Sequence, residues 1–165
     1  AATGVQKLVL FNTHGGNVGL LDVVARDWRA RLDMLVYSTS WFNLPLGDAM
    51  QAFSSHEQRF GIHAGDIETS LMLAIHPSSV RMQHAQNFSS TSEQRAQQFA
   101  VLGNGKSAKL AWQTQDYNVH GAVGNAQAAT AEKGHALLNA TGQALAQLLQ
   151  EVDRLPANTL QPSAH

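Results

Sequence analysis

The chain contains no cysteine, and charged side chains make up only 14% of its 165 residues. Without cysteine the protein can form no disulfide, no thiolate metal site and no cysteine nucleophile. Any metal site must therefore use histidine and carboxylate ligands. Because disulfides are absent and residues 1–6 lack the charged and apolar regions of a signal peptide, we expect a cytoplasmic location.

Two further shortages exclude classes of partner. Eleven Lys and Arg face 12 Asp and Glu, and the formal net charge of -1 leaves no large basic surface for nucleic acid. No apolar run approaches the roughly 18 to 20 residues of a membrane-spanning helix, so we expect no membrane partner. The hydrophobic content of 44% suffices for one core. Residues 1–165 are therefore predicted to form a single domain, with a poorly ordered tail over residues 156–165.

The first 41 residues have the pattern of a β-α-β unit. The apolar run from Val5 to Phe11 predicts a strand that is buried on both faces. Apolar residues at spacings of three and four predict a helix over residues 18–32, and Asp33 to Trp41 predicts the next strand. Strands joined through a helix run parallel, so the expected fold class is α/β with a helix-covered, parallel sheet.

The rest of the chain is predicted to alternate helices with long connections. Residues 42–62 are predicted to form mainly a loop with one helical turn near residues 48–53. A helix is expected over residues 66–75, ending before Pro77. The mixed, polar residues 78–110 are predicted to be loops, and helical spacing over residues 126–152 predicts a long covering helix.

Eight histidines are the one excess in the composition, and histidine binds metals or transfers protons near neutral pH. The first candidate is His14, in the run N-T-H-G-G-N from Asn12 to Asn17, where a buried strand ends and a helix begins. Ligands bind at that edge of open α/β sheets, and Gly15 and Gly16 permit a ligand to come close. A solvated histidine beside a tight turn explains the same residues equally well.

The second candidate cluster is the run H-A-G-D-I-E-T-S from His63 to Ser70. Asp66 lies in the first turn of the predicted helix, where an acidic side chain ordinarily stabilises the helix dipole. Glu68 lies close to His63 and Gly65, and its carboxylate suits a hard or borderline metal ion. Taken alone, this pair of histidine and glutamate only weakly indicates a metal or acid–base role.

Together the two clusters resemble the creatininase family, which includes the formamidopyrimidine deformylases of archaeal flavin biosynthesis and the peptidase that matures mycofactocin. The matching runs are N-T-H-G-G-N at residues 12–17, H-A-G-D-I-E-T-S-L-M-L at 63–73, H-P at 76–77 and A-T-A-E-K-G at 129–134. They span nearly the whole chain. The resemblance implies a three-layer α/β/α fold with a mostly parallel sheet, a homo-oligomer, and a site for two divalent metal ions, either Zn, Mn or Fe.

The resemblance also implies an activity, the hydrolysis of a C–N amide bond in a cyclic amide or formamide. By this analogy His14 and Glu68 are metal ligands, and His63 is the catalytic residue that donates a proton or stabilises the transition state. A metal-activated water would attack the carbonyl carbon of a small-molecule amide substrate.

Within the site that the resemblance implies, we expect four further residues to bind the substrate, namely Gly15, Gly16, Asn17 and Arg59. Gly16 stands where creatininase proper has a glutamate ligand, so the chain is closer to the H-G-G-N members. Arg59 stands where creatininase has a tryptophan, and a guanidinium would favour a carboxylate or phosphate on the substrate if it faces the site.

The family pattern includes further metal ligands upstream, a Glu-x-His pair and an Asp, which would lie before Ala1. The chain thus resembles the C-terminal portion of a creatininase-like domain, incomplete at its N-terminus, and we expect a complementary N-terminal chain or segment to complete the site. The alternative is a catalytically inactive α/β subunit, derived from that fold, that serves in binding or assembly.

Overall fold

The computed structural model describes residues 3–161, and the chain divides into two compact units. The first unit comprises residues 1–46 and 140–165, and the second comprises residues 47–139. The end of the predicted tail, residues 162–165, lies outside the described residues. None of the helices in residues 3–161 combines the length and apolarity that crossing a bilayer requires.

The first unit contains the predicted β-α-β segment. Strand β1 (Lys7–Asn12), helix α1 (Val18–Leu32) and strand β2 (Leu35–Ser40) follow in order, and β1 pairs with β2 in parallel. The register places Lys7 opposite Leu35 and Asn12 opposite Ser40. The prediction of parallel strands joined by a helix is therefore confirmed, with strands that begin two residues later than predicted.

Helix α1 ends at a residue with a left-handed backbone. Asp33 follows the helix with a φ of 50°, a conformation that Asp and Asn tolerate better than other residues with a Cβ. Arg29 Nη1 donates to Asp33 Oδ1 at 2.9 Å, and a cation in the last turn also interacts favourably with the helix dipole. This ending turns the chain directly into β2.

The second unit contains three helices that lie wholly within it, α2 (Ser55–Phe60), α3 (Asp66–Ile75) and α4 (Thr91–Gln98). Strand β3 (Asn87–Phe88) pairs antiparallel with β4 (Gly124–Asn125). The long helix α5 (Ala131–Arg154) begins in this unit and ends in the other. It starts five residues later than predicted, because residues 126–128 form a separate 3-10 turn.

Helices α2 and α4 correct the prediction of loops in residues 42–62 and 78–110. Both begin at the sequence S-x-x-E, which is the signature of a capped helix start. Ser54 Oγ accepts from Glu57 N at 3.1 Å, and Ser90 Oγ accepts from Ser92 N at 3.1 Å. Both helices are too short and polar to show an apolar periodicity, so the caps were the available signal.

The A-T-A-E-K-G run at residues 129–134 packs the start of α5 against α3. A Cβ on Gly134 would overlap the carbonyl oxygen of Ser70, whose side chain is fully buried. Ser70 Oγ accepts from Thr130 N at 3.1 Å. Lys133 Nζ lies 2.8 Å from Asp66 Oδ2. This run therefore has a packing role, and the Lys133 ammonium pairs with the Asp66 carboxylate of α3.

Replacing Gly134 by alanine is expected to lower the free energy of unfolding by about 3 kcal/mol, because the added methyl group overlaps backbone that cannot move freely. Gly142 in the same helix is a matched control, since a Cβ there meets nothing within 4 Å. Gly142→Ala should raise stability by about 0.5 to 1 kcal/mol. Urea denaturation followed by circular dichroism checks both, and equal effects at the two glycines would contradict the packing assignment.

Candidate functional site

The N-T-H-G-G-N run forms a short turn between β1 and α1. Asn12 is buried, with 3% of its surface exposed, and its Nδ2 donates to Ser40 Oγ on β2 at 2.9 Å. Its Oδ1 accepts from His14 N at 3.1 Å, and Asn17 N donates to His14 O at 3.0 Å. Asn12 is therefore the structural anchor of the run, and the exposed His14 is held by its backbone.

The predicted substrate contacts of the first unit are all exposed around His14. Residues Gly15 to Asn17 form a 3-10 turn, and a Cβ on Gly16 would lie 3.2 Å from His14 Nε2. Glycine thus keeps the space beside the imidazole open. The Asn17 side chain donates to Asn12 Oδ1 at 3.5 Å, which is a long bond that would leave it free to rearrange.

His63 and Glu68 lie next to each other in the second unit. His63 Nδ1 and Glu68 Oε2 are 3.2 Å apart, and their side chains are 45% and 46% exposed. The same glutamate oxygen accepts from Ala64 N at 2.6 Å. A proton on Nδ1 would interact favourably with the carboxylate at this distance, and Nε2 would then remain for another partner.

The residue between them has an unusual backbone. Ala64 has a φ of 55°, which costs a residue with a Cβ about 1 to 2 kcal/mol. Its N–H donates to Glu68 Oε2, and its carbonyl accepts from Thr69 Oγ1 at 3.3 Å. Two side chains in the first turn of α3 therefore stabilise the Ala64 backbone conformation that places His63 beside Glu68.

A cavity of about 550 Å³ opens beside this pair, which is a volume suited to a small molecule. Its lining includes His63, Glu68, Met72, Arg81 and His84. The sequence analysis did not single out Arg81 or His84, which lie in the irregular stretch after α3. In the sequence, the only sign that this stretch could line a site is an arginine three residues before a histidine, without any apolar periodicity.

The structure places Arg59 at a different cavity, which shares no lining residue with the cavity beside His63 and Glu68. Its guanidinium carbon lies 4.8 Å from the centre of the Phe60 ring, and Nη2 donates to Gly103 O at 3.4 Å. Its predicted contact with the substrate stays a prediction. Within the His63 cavity, the arginine is Arg81.

Glu57 is a buried carboxylate near this site that was not among the predicted site residues. Its exposed surface is 2%, yet it has no cationic partner in the part of the chain that the structure describes. Oε2 accepts from Asn125 N at 2.9 Å, and Oε1 accepts from Ile67 N at 3.4 Å. The residue before α3 is Gly65, which has no side chain to cap the helix. Glu57 therefore accepts from the free Ile67 N–H in the first turn, a bond that a capping side chain would ordinarily make.

Three glycines make room for the Glu57 carboxylate. A Cβ on Gly61 or Gly65 would overlap its atoms, and a Cβ on Gly124 would lie 2.9 Å from both oxygens. Gly61 and Gly65 flank His63, and Gly124 follows Val123, with which His63 forms an isolated antiparallel bridge. The carboxylate therefore joins α2, the start of α3 and β4 around the segment that presents His63 and Glu68.

The candidate ligands of this chain are of types that bind a divalent metal ion, but they are too few to form a complete site. His14 offers an imidazole and Glu68 a carboxylate, both of which bind zinc or manganese. Within residues 3–161, however, no group of three or more histidine, aspartate or glutamate side chains is placed to hold a metal ion. The described residues thus supply less than the complete ligand set that the resemblance implies.

Comparison with known proteins gives one family. The sequence pattern of the Creatininase family, described as creatinine amidohydrolase, matches residues 1–149. No curated protein matches the sequence significantly. Among solved structures, a Bacteroides fragilis NCTC 9343 protein assigned as a creatinine amidohydrolase is 28% identical, with a TM-score of 0.69. The alignment covers 94% of this chain and 57% of that one.

Two creatininase structures share the fold at lower identity. A mutant creatininase complexed with creatine is 22% identical over 93% of this chain and 60% of its own, with a TM-score of 0.64. A manganese creatininase is 21% identical over 91% of this chain and 58% of its own, with a TM-score of 0.59. The chain thus spans less than two thirds of the length of these structures. The predicted creatininase-like α/β fold is confirmed, and the chain belongs to the creatininase family.

Proposed function

We propose that this chain carries part of the active site of a metal-dependent amidohydrolase that cleaves a C–N bond in a cyclic amide or formamide. The observation that carries the proposal is the close approach of His63 Nδ1 to Glu68 Oε2, at 3.2 Å, beside a cavity of about 550 Å³. A carboxylate that fixes the tautomer and orientation of an imidazole is a recurrent arrangement for proton transfer. Family membership supports the reaction class.

His63 is the proposed proton donor. With Nδ1 beside Glu68, protonated Nε2 can give its proton to the nitrogen that leaves when the C–N bond breaks. The oxygen of a water molecule forms the new bond to the carbonyl carbon, and a proton from that water restores the imidazolium. A formamide then gives a carboxylic acid and an amine, and a cyclic amide gives one ring-opened molecule that carries both groups, so atoms and charge balance.

His14 and Glu68 are the proposed metal ligands of this chain. A bound divalent ion would polarise the substrate carbonyl and lower the pKa of water. Glu68 Oε2 is engaged by His63 and Ala64, so Oε1 is the oxygen available for a metal. The remaining ligands are proposed to come from a complementary N-terminal chain or segment, and Zn, Mn or Fe, two ions per complete site, remain the expected metals.

Further substrate contacts are proposed. The Gly15 and Gly16 amides and the Asn17 side chain would bind a substrate oxygen. Arg81 forms no ion pair among the described residues, so its guanidinium can bind a carbonyl or carboxylate in the His63 cavity. Self-association and a cytoplasmic location remain predictions.

One observation favours the alternative, an inactive binding or assembly subunit. The described residues do not gather three metal-binding side chains, and a domain that has lost its metals would keep its loops and its packing. Metal content separates the two functions directly.

The full protein, purified with whatever segment or chain accompanies it, is expected to contain about two metal ions per complete site by inductively coupled plasma mass spectrometry. His14→Ala and Glu68→Gln should each reduce that content, because each removes a ligand. His120→Ala is the control, since this exposed histidine lies outside the His63 cavity. Folded, metal-free wild-type protein would instead support the assembly subunit.

A further inference from the structure

The second unit contains another cavity, of about 500 Å³, whose charged lining is entirely cationic. Its cations are Arg59, Arg95, Lys106 and Lys109, and no carboxylate lines it. The chain as a whole has a formal net charge of -1. Four of its 11 cationic side chains therefore surround one cavity in a protein without a general excess of positive charge.

None of these four side chains forms an ion pair with a carboxylate among residues 3–161. The polar contacts of the two arginines are to neutral oxygens. Arg59 Nη2 donates to Gly103 O at 3.4 Å, and Arg95 Nη1 donates to Thr91 Oγ1 at 3.1 Å. A guanidinium has five N–H donors, so most donors of both arginines remain available to a ligand.

The segment that carries Lys106 is shaped by local contacts and packed on the helix that carries Arg95. A Cβ on Gly103 would overlap the carbonyl oxygen of Arg95. Asn104 Oδ1 accepts from Lys106 N at 2.8 Å and from Ser107 N at 2.9 Å. Gly105 supplies the left-handed turn, with a φ of 72°. The cations from α4 and from this turn are thus brought to one cavity by a defined backbone.

Two aromatic side chains complete the lining. The rings of Trp112 and Tyr117 meet edge to face with centroids 5.1 Å apart, and the Arg95 guanidinium carbon lies 5.1 Å from the Tyr117 centroid. Trp112 keeps 43% of its surface exposed. Tyr117 is thus held between two neighbours, while the Trp112 indole offers apolar surface beside the cations.

We propose that this cavity binds a small organic phosphate whose ring packs against Trp112 while its phosphate group contacts Arg59 and Arg95. Several cations around one space favour a multiply charged anion over a monocarboxylate, and guanidinium groups bind phosphate through paired N–H donors. The cavity shares no lining residue with the one beside His63. This inference therefore holds whether or not the proposed hydrolase activity is correct.

Adenosine 5′-monophosphate is the test ligand, titrated into the full-length protein by isothermal calorimetry alongside adenosine and inorganic phosphate. Adenosine 5′-monophosphate is expected to bind at least about tenfold more tightly than either fragment, since only it uses both the cations and the indole. Quenching of tryptophan fluorescence should accompany binding and disappear in Trp112→Phe.

Arg59→Gln and Arg95→Gln should each weaken binding about tenfold, because each removes a charge-assisted contact. Arg26→Gln is the matched control with the same change in net charge, since Arg26 lies exposed on α1 and pairs with Asp22. Arg59 is exposed, so its replacement should not impair folding. An unchanged affinity in both cavity variants, an equal loss in Arg26→Gln, or no binding by the wild-type protein at millimolar ligand would overturn the proposal.

Discussion

Replacing His63 by alanine in the complete, metal-loaded protein is expected to lower kcat for amide hydrolysis by about 10² to 10⁴-fold, the usual contribution of a positioned proton donor. Creatinine and formanilide represent the two proposed substrate types. The metal content of His63→Ala should stay close to that of the wild type, because Glu68 and not His63 is the proposed ligand. Glu68→Gln should lose both activity and metal.

His84→Ala is the matched control for this prediction. His84 lines the same cavity but forms no ion pair with a carboxylate in the described part of the chain, so nothing fixes its tautomer. Its replacement should change KM more than kcat. Added imidazole should partly restore kcat to His63→Ala by entering the vacated space. A His63→Ala variant with full kcat, or one that loses its metal, would contradict the assigned role.

The second large effect concerns stability. Glu57→Ala is expected to lower the free energy of unfolding by about 3 to 5 kcal/mol, because it leaves the partly buried N–H groups of Ile67 and Asn125 without an acceptor and opens a cavity. Glu57→Gln keeps the shape but directs an amide NH₂ at one of those donors. It should cost about 1 to 3 kcal/mol and keep the variant folded for measurement.

Glu93 is the matched control for Glu57. Both residues occupy the final position of an S-x-x-E run. Unlike Glu57, Glu93 accepts through Oε1 from Ser90 N at 2.8 Å, as the capping box predicts. Glu93→Gln should cost less than about 1 kcal/mol, because an amide oxygen can accept the same bond. The free energies of unfolding of Glu57→Ala, Glu57→Gln and Glu93→Gln, measured by chemical denaturation, test this prediction. If Glu57→Gln and Glu93→Gln lost equal stability, the buried carboxylate would have no special structural role.

The two S-x-x-E runs illustrate how far local sequence predicts structure here. Ser54 and Ser90 both cap helices that the apolar periodicity did not indicate. The same local pattern leads to two different uses of the glutamate, since Glu93 closes its own capping box and Glu57 bonds to Ile67 and Asn125. A local rule predicts that a helix starts, but the burial of one carboxylate depends on segments 10 and 68 residues away.

The candidate site divides in the same way. The runs at residues 12–17 and 63–70 were visible in the sequence, and the contact between His63 and Glu68 joins residues only five apart, at the start of α3. Arg81 and His84 were missed, because a cavity lining is a property of the folded surface. Arg59 was expected near the substrate from its place in the family pattern, and it lies at the cationic cavity.

The sequence by itself determined the family, the parallel pair of strands around α1, and the identity of His14, His63 and Glu68 as candidates. These follow from periodicity and from short motifs, which are local properties of the chain. Tertiary structure alone decided that Glu57 is a buried support, that Gly134 is a packing contact, and that four cationic side chains share one cavity. Each of these depends on contacts between segments distant in sequence, and local patterns carry no information about which distant atoms will fill the same space.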